Sequence, residues 1–296
     1  MSELGPEAAR QAMLDGRVND VDPPPVAKVS NHTFPGPGGE IPVRVYQPRE
    51  APADHLGALL YFHGGGFVIG DLDTHDTLCR QLCAGGDVVV ISVHYRLAPE
   101  HRYPAAVDDA LAAFAWLREH ATDIGADPNR LAVCGDSAGG TLAAIVSQRA
   151  REANVHLRAQ LLLYPVTDLA GAYPSQEEHA HTHPIPRHVL DWFWSLYLGS
   201  DWESDAALRR DPHVSPLHAQ NFDGLAPAFV LTAGLDPLRD EGNAYARRLA
   251  DAGVETTQLC AMGTVHGYLR LGRLIPAAGD AVAAAAAFLR ARLAAN

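Results

Sequence analysis

The sequence predicts an α/β fold, with a mainly parallel sheet that is covered by helices on both faces. From residue 41 onward, short apolar runs alternate with longer segments of helical periodicity. The apolar runs are almost continuously hydrophobic, as strands buried on both faces of a parallel sheet are. One run leads through a glycine-containing turn directly into a helical pattern, at residues 135–139. This succession is typical of βαβ units whose helices pack against the sheet.

The individual elements follow from these patterns in chain order. Residues 1–40 are predicted as an N-terminal segment, with a short helix that begins near Pro6 and with turn-rich stretches at 23–25 and 35–39. Strands are then predicted at 41–46, 58–62, 88–93, 131–134, 161–164, 229–232 and 256–261. Helices are predicted at 74–84, 105–119, 138–151, 237–252 and 277–293.

One insertion interrupts this alternation. Residues 168–217 lie between two predicted strands and are rich in His, Trp and Pro. An insertion of this size at the strand ends is a candidate lid or substrate pocket. We therefore predict an N-terminal cap segment at 1–40, an α/β core at 41–167 and 218–296, and a cap insertion at 168–217.

Composition narrows the classes of partner. The 296 residues carry a formal net charge of −12, and nucleic acids and anionic membranes need basic patches, so neither is an expected partner. The four cysteines form no C-x-x-C motif, so no zinc site is expected. The first residues hold no apolar segment typical of a signal peptide, and the longest apolar stretch, 281–289, is too short to span a bilayer. We therefore expect a cytoplasmic protein without stable membrane insertion.

Ser137 is the candidate nucleophile. It is the central residue of a G-x-S-x-G string that lies between an apolar run and a helical pattern. A serine hydroxyl is a weak nucleophile unless a base takes its proton, and the strand–turn–helix elbow presents it free of its neighbours. Gly135 and Gly139 leave room for the tight turn. The N–H groups at the start of the helix suit a developing negative charge. Such strings also occur by chance in loops, but here the required context is met.

The partners of this serine are expected downstream, in the order Ser, Asp or Glu, His. Asp236 follows the predicted strand 229–232, where a helix N-cap is the alternative role, since Pro237 would be the first helical residue. Asp240 and Glu241 compete with Asp236, but they fall within the predicted helix. His266 is the only histidine that follows Asp236, so the order leaves no other base.

Gly64, Gly65 and Gly66 follow the predicted strand 58–62 and allow the backbone to approach a substrate carbonyl closely. Two of their N–H groups, together with that of Ala138, would form an oxyanion hole. The rival interpretation is a nucleotide-binding loop. Residues 64–70 do not fit G-x-G-x-x-G, no helix begins directly there, and no P-loop Lys-Ser/Thr pair is present.

Histidines and aromatic residues are concentrated in the insertion. A metal site is one interpretation of the histidines, but no acidic residue or cysteine stands at ligand spacing, so solvated loop histidines are favoured; they are His179, His181, His183 and His188. The aromatic cluster either anchors the cap or walls an apolar acyl pocket. The predicted substrate-pocket residues are Phe67, Asp136, Trp192, Trp194 and Tyr197.

Six motifs stand in chain order across nearly the whole sequence. They are HGGGF at 63–67, DLDTH at 71–75, YRLAPE at 95–100, GDSAGG at 135–140, DPLRDEG at 236–242 and HGY at 266–268. Together they resemble the hormone-sensitive-lipase-like family of α/β-hydrolases, a group of bacterial carboxylesterases, and the GDSAGG form is similar to its microbial branch. Tyr268 is a partial departure, because Phe is common at that position.

The resemblance implies an α/β-hydrolase fold, with a mixed, mostly parallel eight-stranded sheet and a helical cap built from the N-terminal segment and the insertion. It implies hydrolysis of short to medium acyl esters without a cofactor, and a homodimer through the last strand and the C-terminal helix. The resemblance implies that Ser137 is the nucleophile, His266 the base and Asp236 the orienting acid. It also implies that Gly65, Gly66 and Ala138 are the oxyanion donors.

Two classes of alternative stay open. An amidase, a lactonase or a deacetylase would use the same triad, because leaving-group preference depends on pocket shape. A non-catalytic ligand-binding module on the same fold is the other alternative, and the presence of His266 argues against it.

Overall fold

A computed structural model describes residues 5–50 and 55–295 of the chain. Residues 1–4 lie outside this part, and they belong to the stretch in which no signal peptide is expected. The described residues form eight strands: β1 Lys28–Gly36, β2 Gly39–Gln47, β3 Leu56–Phe62, β4 Val89–Val93, β5 Ala126–Asp136, β6 Ala159–Leu163, β7 Ala228–Leu235 and β8 Thr256–Val265. The α-helices are α1 Gly5–Asp15, α2 Asp76–Gly86, α3 Ala105–His120, α4 Ala138–Glu152, α5 Pro174–Glu178, α6 Arg187–Leu198, α7 Ala206–Arg209, α8 Arg239–Asp251 and α9 Ala277–Leu293.

All these strands belong to one sheet, in the order β1-β2-β4-β3-β5-β6-β7-β8. The pairs β1–β2 and β2–β4 are antiparallel, and every pair from β4 onward across the sheet is parallel. The mixed, mostly parallel eight-stranded sheet that the resemblance implies is therefore confirmed. The carboxyl ends of β3, β5, β6, β7 and β8 lie along one edge, which is where functional loops of such sheets gather.

Two apolar layers cover the sheet, because successive side chains of a strand point to opposite faces. Within β3, Leu60 and Phe62 contribute to one buried cluster, whereas Leu59 and Tyr61 contribute to the other. The first cluster also contains residues of α3, α4 and α8, and the second contains residues of α2 and α9. Helices thus lie on both faces, as the continuous apolar strands indicate.

β1 is a correction to the predicted N-terminal segment. Residues 28–36 pair with β2 as an antiparallel hairpin that turns between Gly36 and Gly39, so the predicted boundary at residue 40 cuts through this hairpin. The strand escapes a pattern-based prediction because it lies at the sheet edge and buries only Phe34, which leaves no apolar alternation in the sequence.

The insertion at 168–217 contains α5, α6 and α7, between β6 and β7. The buried side chains of α6 join the same apolar cluster as α3, α4 and α8, so this part of the insertion packs directly on the core. At the other end of the chain, α1 contributes the fully buried Ala9 to that cluster. The division of the chain into cap and core stays a prediction.

Candidate active site

Ser137 stands at a sharp turn between β5 and α4. Its backbone has φ 55° and ψ −122°, a positive-φ conformation that is strained for a residue with a side chain. The Ser137 N–H donates to the Leu163 carbonyl oxygen at 2.8 Å, which ties the turn to the end of β6. A Cβ atom on Gly135 would lie 2.0 Å from the Gly139 carbonyl oxygen, and one on Gly139 would lie 2.0 Å from that of Phe62. The turn therefore requires glycine at both flanking positions.

Three side chains predicted to act together form one hydrogen-bonded path. His266, directly after β8, places Nε2 2.9 Å from the Ser137 Oγ. Its Nδ1 lies 2.7 Å from the Oδ2 of Asp236, which comes directly after β7. Asp236 is fully buried, whereas Ser137 and His266 keep 9% and 6% of their surface exposed. The hydroxyl end of the path is thus the accessible end.

The alternative role of Asp236 as a helix N-cap is not realised, because the N-cap of α8 is Leu238 and no side chain of the described residues caps this helix. The Asp236 Oδ1 accepts the Leu238 N–H at 2.9 Å, just before α8, while Oδ2 faces His266. The competing carboxylates bond elsewhere in the described structure. Asp240 pairs with Arg239 at 2.8 Å, and the buried Glu241 accepts a backbone N–H from the segment after β6.

The glycine loop after β3 divides into two parts. Gly65 and Gly66 have φ values of +124° and +61° and border the same cavity as Ser137. The Gly64 N–H donates to the Asp136 Oδ1 at 2.8 Å, so Gly64 is removed from the three candidate glycines, of which two were predicted as oxyanion donors. Gly64 is needed for another reason, because a Cβ atom there would lie 2.4 Å from the Asp136 Oδ2. Ala138 is the first residue of α4, where N–H groups have no partner within the helix.

Asp136 also differs from its predicted place in the substrate pocket. It borders the cavity, but its buried carboxylate accepts the Tyr61 O–H at 2.6 Å as well as the Gly64 N–H, and lies 3.5 Å from the His75 Nε2. Burial alone would raise the pKa of Asp136. The neighbouring His75 and the hydrogen bonds outweigh burial, so this pKa lies well below its usual range. The carboxylate therefore fastens the glycine loop to the turn at Ser137.

His63 anchors the start of the same loop. Its ring stacks on Tyr95 with ring centroids 4.3 Å apart, and the Tyr95 O–H donates to the His63 carbonyl oxygen at 2.6 Å. Burial lowers the pKa of His63 to about 3, so its ring is neutral at physiological pH. The motif letters alone do not reveal this arrangement, because Tyr95 is far away in the sequence.

A cavity of about 460 Å³ has Ser137 and His266 in its wall. Trp194 borders it, as predicted, but Phe67, Trp192 and Tyr197 do not, which corrects those three pocket assignments. Phe67 stacks on Tyr197 with centroids 4.0 Å apart, and both side chains are buried. Trp192 packs on the side of Phe193.

The wall also contains apolar residues that are not among the predicted pocket residues. Leu190 and Phe193 line the cavity together with Trp194, and Met13 of α1 and Val166 complete this part of the wall. The three α6 residues stand at i, i+3 and i+4, the spacing of one helix face, so helical periodicity within the aromatic cluster would have identified them. A smaller cavity of about 310 Å³ adjoins at Val166, Leu190 and Trp194.

Glu241 borders the smaller cavity and differs from an ordinary surface carboxylate. Its Oε1 accepts the Thr167 N–H at 2.8 Å and the Asp168 N–H at 3.3 Å. Burial raises the pKa of Glu241 to about 8, and the nearby Asp168 charge adds to this rise. The side chain is therefore largely protonated at neutral pH.

The histidines of the insertion do not gather around a common point. His183 borders the larger cavity, and the His179 Nε2 lies 3.3 Å from a guanidinium nitrogen of Arg239. Across residues 5–50 and 55–295, no three His, Cys, Asp or Glu side chains are grouped as metal ligands. In the same part of the chain, no helix has the length and apolar character needed to cross a membrane.

Comparison with known proteins places these features in a family. Residues 59–270 match the model of a family described as alpha/beta hydrolase fold. The chain is 47% identical over 252 residues to the carboxylic ester hydrolase LipN of Mycobacterium tuberculosis, covering 83% of this chain but 65%, just under two thirds, of LipN. It is 43% identical over 246 residues to the ethyl acetate hydrolase of Pseudomonas putida, covering 82% of this chain and 76% of that protein.

A solved structure extends this similarity to the whole fold. The carboxylesterase EstE1, cloned from a metagenomic library, superposes with a TM-score of 0.92 at 40% identity. The match covers 98% of each chain.

Proposed function

Because this chain belongs to the hormone-sensitive-lipase-like family of α/β-hydrolases and is a carboxylic ester hydrolase, we propose that it is a serine carboxylesterase whose catalytic triad is Ser137, His266 and Asp236. The observation that carries the proposal is the hydrogen-bonded path between these side chains, with distances of 2.9 and 2.7 Å. The strained backbone of Ser137 adds support, because strain of this kind is typical of a presented nucleophile.

In the proposed mechanism, the Ser137 Oγ attacks the ester carbonyl carbon while the His266 Nε2 takes the hydroxyl proton. Asp236 accepts the His266 Nδ1–H, which keeps a lone pair on Nε2 and stabilises the imidazolium. As the bond to the alcohol breaks, Nε2–H returns its proton to the departing oxygen. A water molecule then loses a proton to His266 and attacks the acyl-enzyme carbonyl, and Ser137 leaves with its proton restored.

The negative charge that develops on the carbonyl oxygen needs donors that are already in place. We assign this role to the N–H groups of Gly65, Gly66 and Ala138. Each such donor contributes about 3 kcal/mol to transition-state stabilisation. The start of α4 adds a favourable dipole. In this scheme Asp136 contacts no substrate and instead holds the loop through the Gly64 N–H.

Acyl chains of short to medium length fit the proposed site best. The cavity of about 460 Å³ is in the lower part of the range for small-molecule pockets, and Phe193 and Trp194 of α6 border it. One relative is an ethyl acetate hydrolase, which also supports small esters as substrates.

Hydrolysis of nitrophenyl acetate, butyrate, octanoate and palmitate, by the native protein and by Ser137→Ala, tests this function. We expect the highest kcat/KM at short or medium chains and a loss of at least about ten-thousandfold in the variant. Ser147→Ala is a matched control, because Ser147 is a buried serine on α4 that does not border the cavity.

The same assay separates the alternatives. Near-normal turnover by Ser137→Ala would remove Ser137 as the nucleophile. A folded native protein that is inactive on every chain length would instead point to an amide, lactone or deacetylase substrate, or to a binding role.

A homodimer through β8 and α9 is proposed as the assembly. β8 is the last strand of the sheet order, so its outer edge is unpaired within the described chain. Leu259 and Met262 on this strand are 39% and 76% exposed. Apolar side chains on an open edge favour strand-to-strand association. The cytoplasmic location and the lack of a nucleic-acid partner stay predictions.

A further inference from the structure

Arg270 is unusual within the wall of the active-site cavity. It is the only Lys or Arg among the described residues that border this cavity, whose wall is otherwise largely apolar. It lies four positions after His266, at the end of the short 3₁₀ helix Tyr268–Arg270 that follows β8. A cation in a cavity of low polarity is costly unless it meets a partner.

The guanidinium of Arg270 is only partly used by the protein. Its Nε donates to the Thr74 carbonyl oxygen at 3.0 Å, and its Nη2 donates to the Met13 carbonyl oxygen at 3.2 Å. Within the described residues Nη1 has no hydrogen-bond partner, and it is not among the buried unpartnered atoms, so it is open to solvent or to a ligand. No carboxylate of the described chain lies within 4.0 Å of this guanidinium.

Arg10, in contrast, uses all three of its guanidinium nitrogens to donate to protein oxygens. It donates to the carbonyl oxygens of Val68 and Ala98 at 2.8 and 3.0 Å, and it forms a two-pronged ion pair with Glu100 at 2.9 and 2.7 Å. Arg10 does not border the active-site cavity. Both arginines therefore tie α1 to the core, but only Arg270 keeps a free donor nitrogen and borders the cavity that also contains Ser137.

Two carboxylates lie near enough to Arg270 for its charge to lower their pKa values, but neither forms an ion pair with it. Asp136 is held by Tyr61 and Gly64, and Asp20 is a buried residue whose pKa is raised by burial despite the Arg270 charge. Neither offers the close, planar contact that a guanidinium makes with a free carboxylate. Arg270 therefore has free donors on Nη1 for a carboxylate that comes from outside the chain.

We infer that Arg270 makes the cavity selective for esters that carry a carboxylate group in addition to the ester bond. The inference rests on the proposed function, because the ester carbonyl would lie at Ser137 while the carboxylate meets the Nη1 side of Arg270. Charge-assisted hydrogen bonds of this kind favour the charged substrate by roughly tenfold to a hundredfold over a neutral analogue.

Two matched pairs of esters test the inference and locate the carboxylate. Monoethyl adipate against ethyl hexanoate places the charge on the acyl side, and 4-acetoxybenzoate against phenyl acetate places it on the alcohol side. For each pair, the ratio of kcat/KM for the charged ester to that for the neutral ester is measured in the native protein, Arg270→Gln, Arg270→Lys and Arg10→Gln.

We expect Arg270→Gln to lower this ratio by roughly tenfold or more in at least one pair, and Arg270→Lys to retain part of it. Arg10→Gln should leave both ratios unchanged, even where looser attachment of α1 alters the rates themselves. Equal effects of Arg270→Gln on both members of each pair would overturn the inference and reduce Arg270 to a tether for α1. Failure of the native protein on all four esters would instead count against the proposed function.

Discussion

Replacing Asp136 is expected to impair catalysis more than substrate binding. Its carboxylate accepts the Gly64 N–H at 2.8 Å and the Tyr61 O–H at 2.6 Å, and so holds the loop that carries Gly65 and Gly66. If these two glycines supply oxyanion donors, a shifted loop weakens contacts that matter mainly in the transition state.

The magnitude follows from the contacts that are lost. Each hydrogen bond to the buried carboxylate is worth about 1.5–3 kcal/mol, so Asp136→Ala is expected to cost about 3–6 kcal/mol of unfolding free energy. That loss is large compared with the usual stability of a protein, about 5–15 kcal/mol. Asp136→Asn is the more informative variant, because its amide oxygen can still accept both hydrogen bonds, but each bond is weaker without the charge, so the loop is loosened and the protein stays folded.

For Asp136→Asn we expect a fall in kcat of about ten- to a hundredfold on phenyl acetate, with KM changed by less than about threefold. Urea unfolding measures the accompanying loss of stability. Asp109→Asn is the matched control, because Asp109 is an equally buried carboxylate that pairs with Arg96 away from the active-site cavity. A kcat for Asp136→Asn that equals that of Asp109→Asn would refute the positioning role.

Three further outcomes are expected. Asp236→Asn should lose most of the esterase activity while Asp240→Asn loses little, and steady-state kinetics showing the reverse ranking would move the orienting acid to Asp240. Because the pKa of Glu241 rises from 4.5 to about 8 on folding, the unfolding free energy should fall as pH increases between these values, by up to about 5 kcal/mol. Urea titrations should show that Glu241→Gln flattens this dependence; an unchanged slope would mean that other groups cause it. Leu259→Lys should shift the protein from dimer to monomer in light scattering, and a dimer that persists would exclude β8 as the interface.

Much of the fold can be predicted from the sequence because its strands are buried on both faces. The apolar runs that become β3 to β7 stand out for this reason, whereas β1 exposes most of its side chains and leaves no such pattern. The turn at Ser137 is predictable because its glycines are needed locally, within a few residues of the serine.

Other parts of the site depend on contacts between distant segments. The engagement of the Gly64 N–H by Asp136 joins residues 72 positions apart, so the motif letters cannot reveal which glycine keeps a free donor. The same holds for the stacking of Phe67 on Tyr197, which removes two aromatic residues from the pocket wall. Phe193 is different, since the i, i+3 and i+4 spacing within α6 is sufficient to place it on the same helix face as Leu190 and Trp194.

The position of Phe193 has a consequence for protein engineering. Its ring packs so closely on Gly66 that a Cβ atom at Gly66 would lie 2.3 Å from the ring. Substitutions in α6 that are made to widen substrate scope therefore press on, or release, the same loop that carries Gly65 and Gly66. We expect libraries that randomise α6 alone to broaden the range of substrates and to lower turnover. Grafting α6 together with residues 63–67 from one relative should preserve the fit between the helix and the loop.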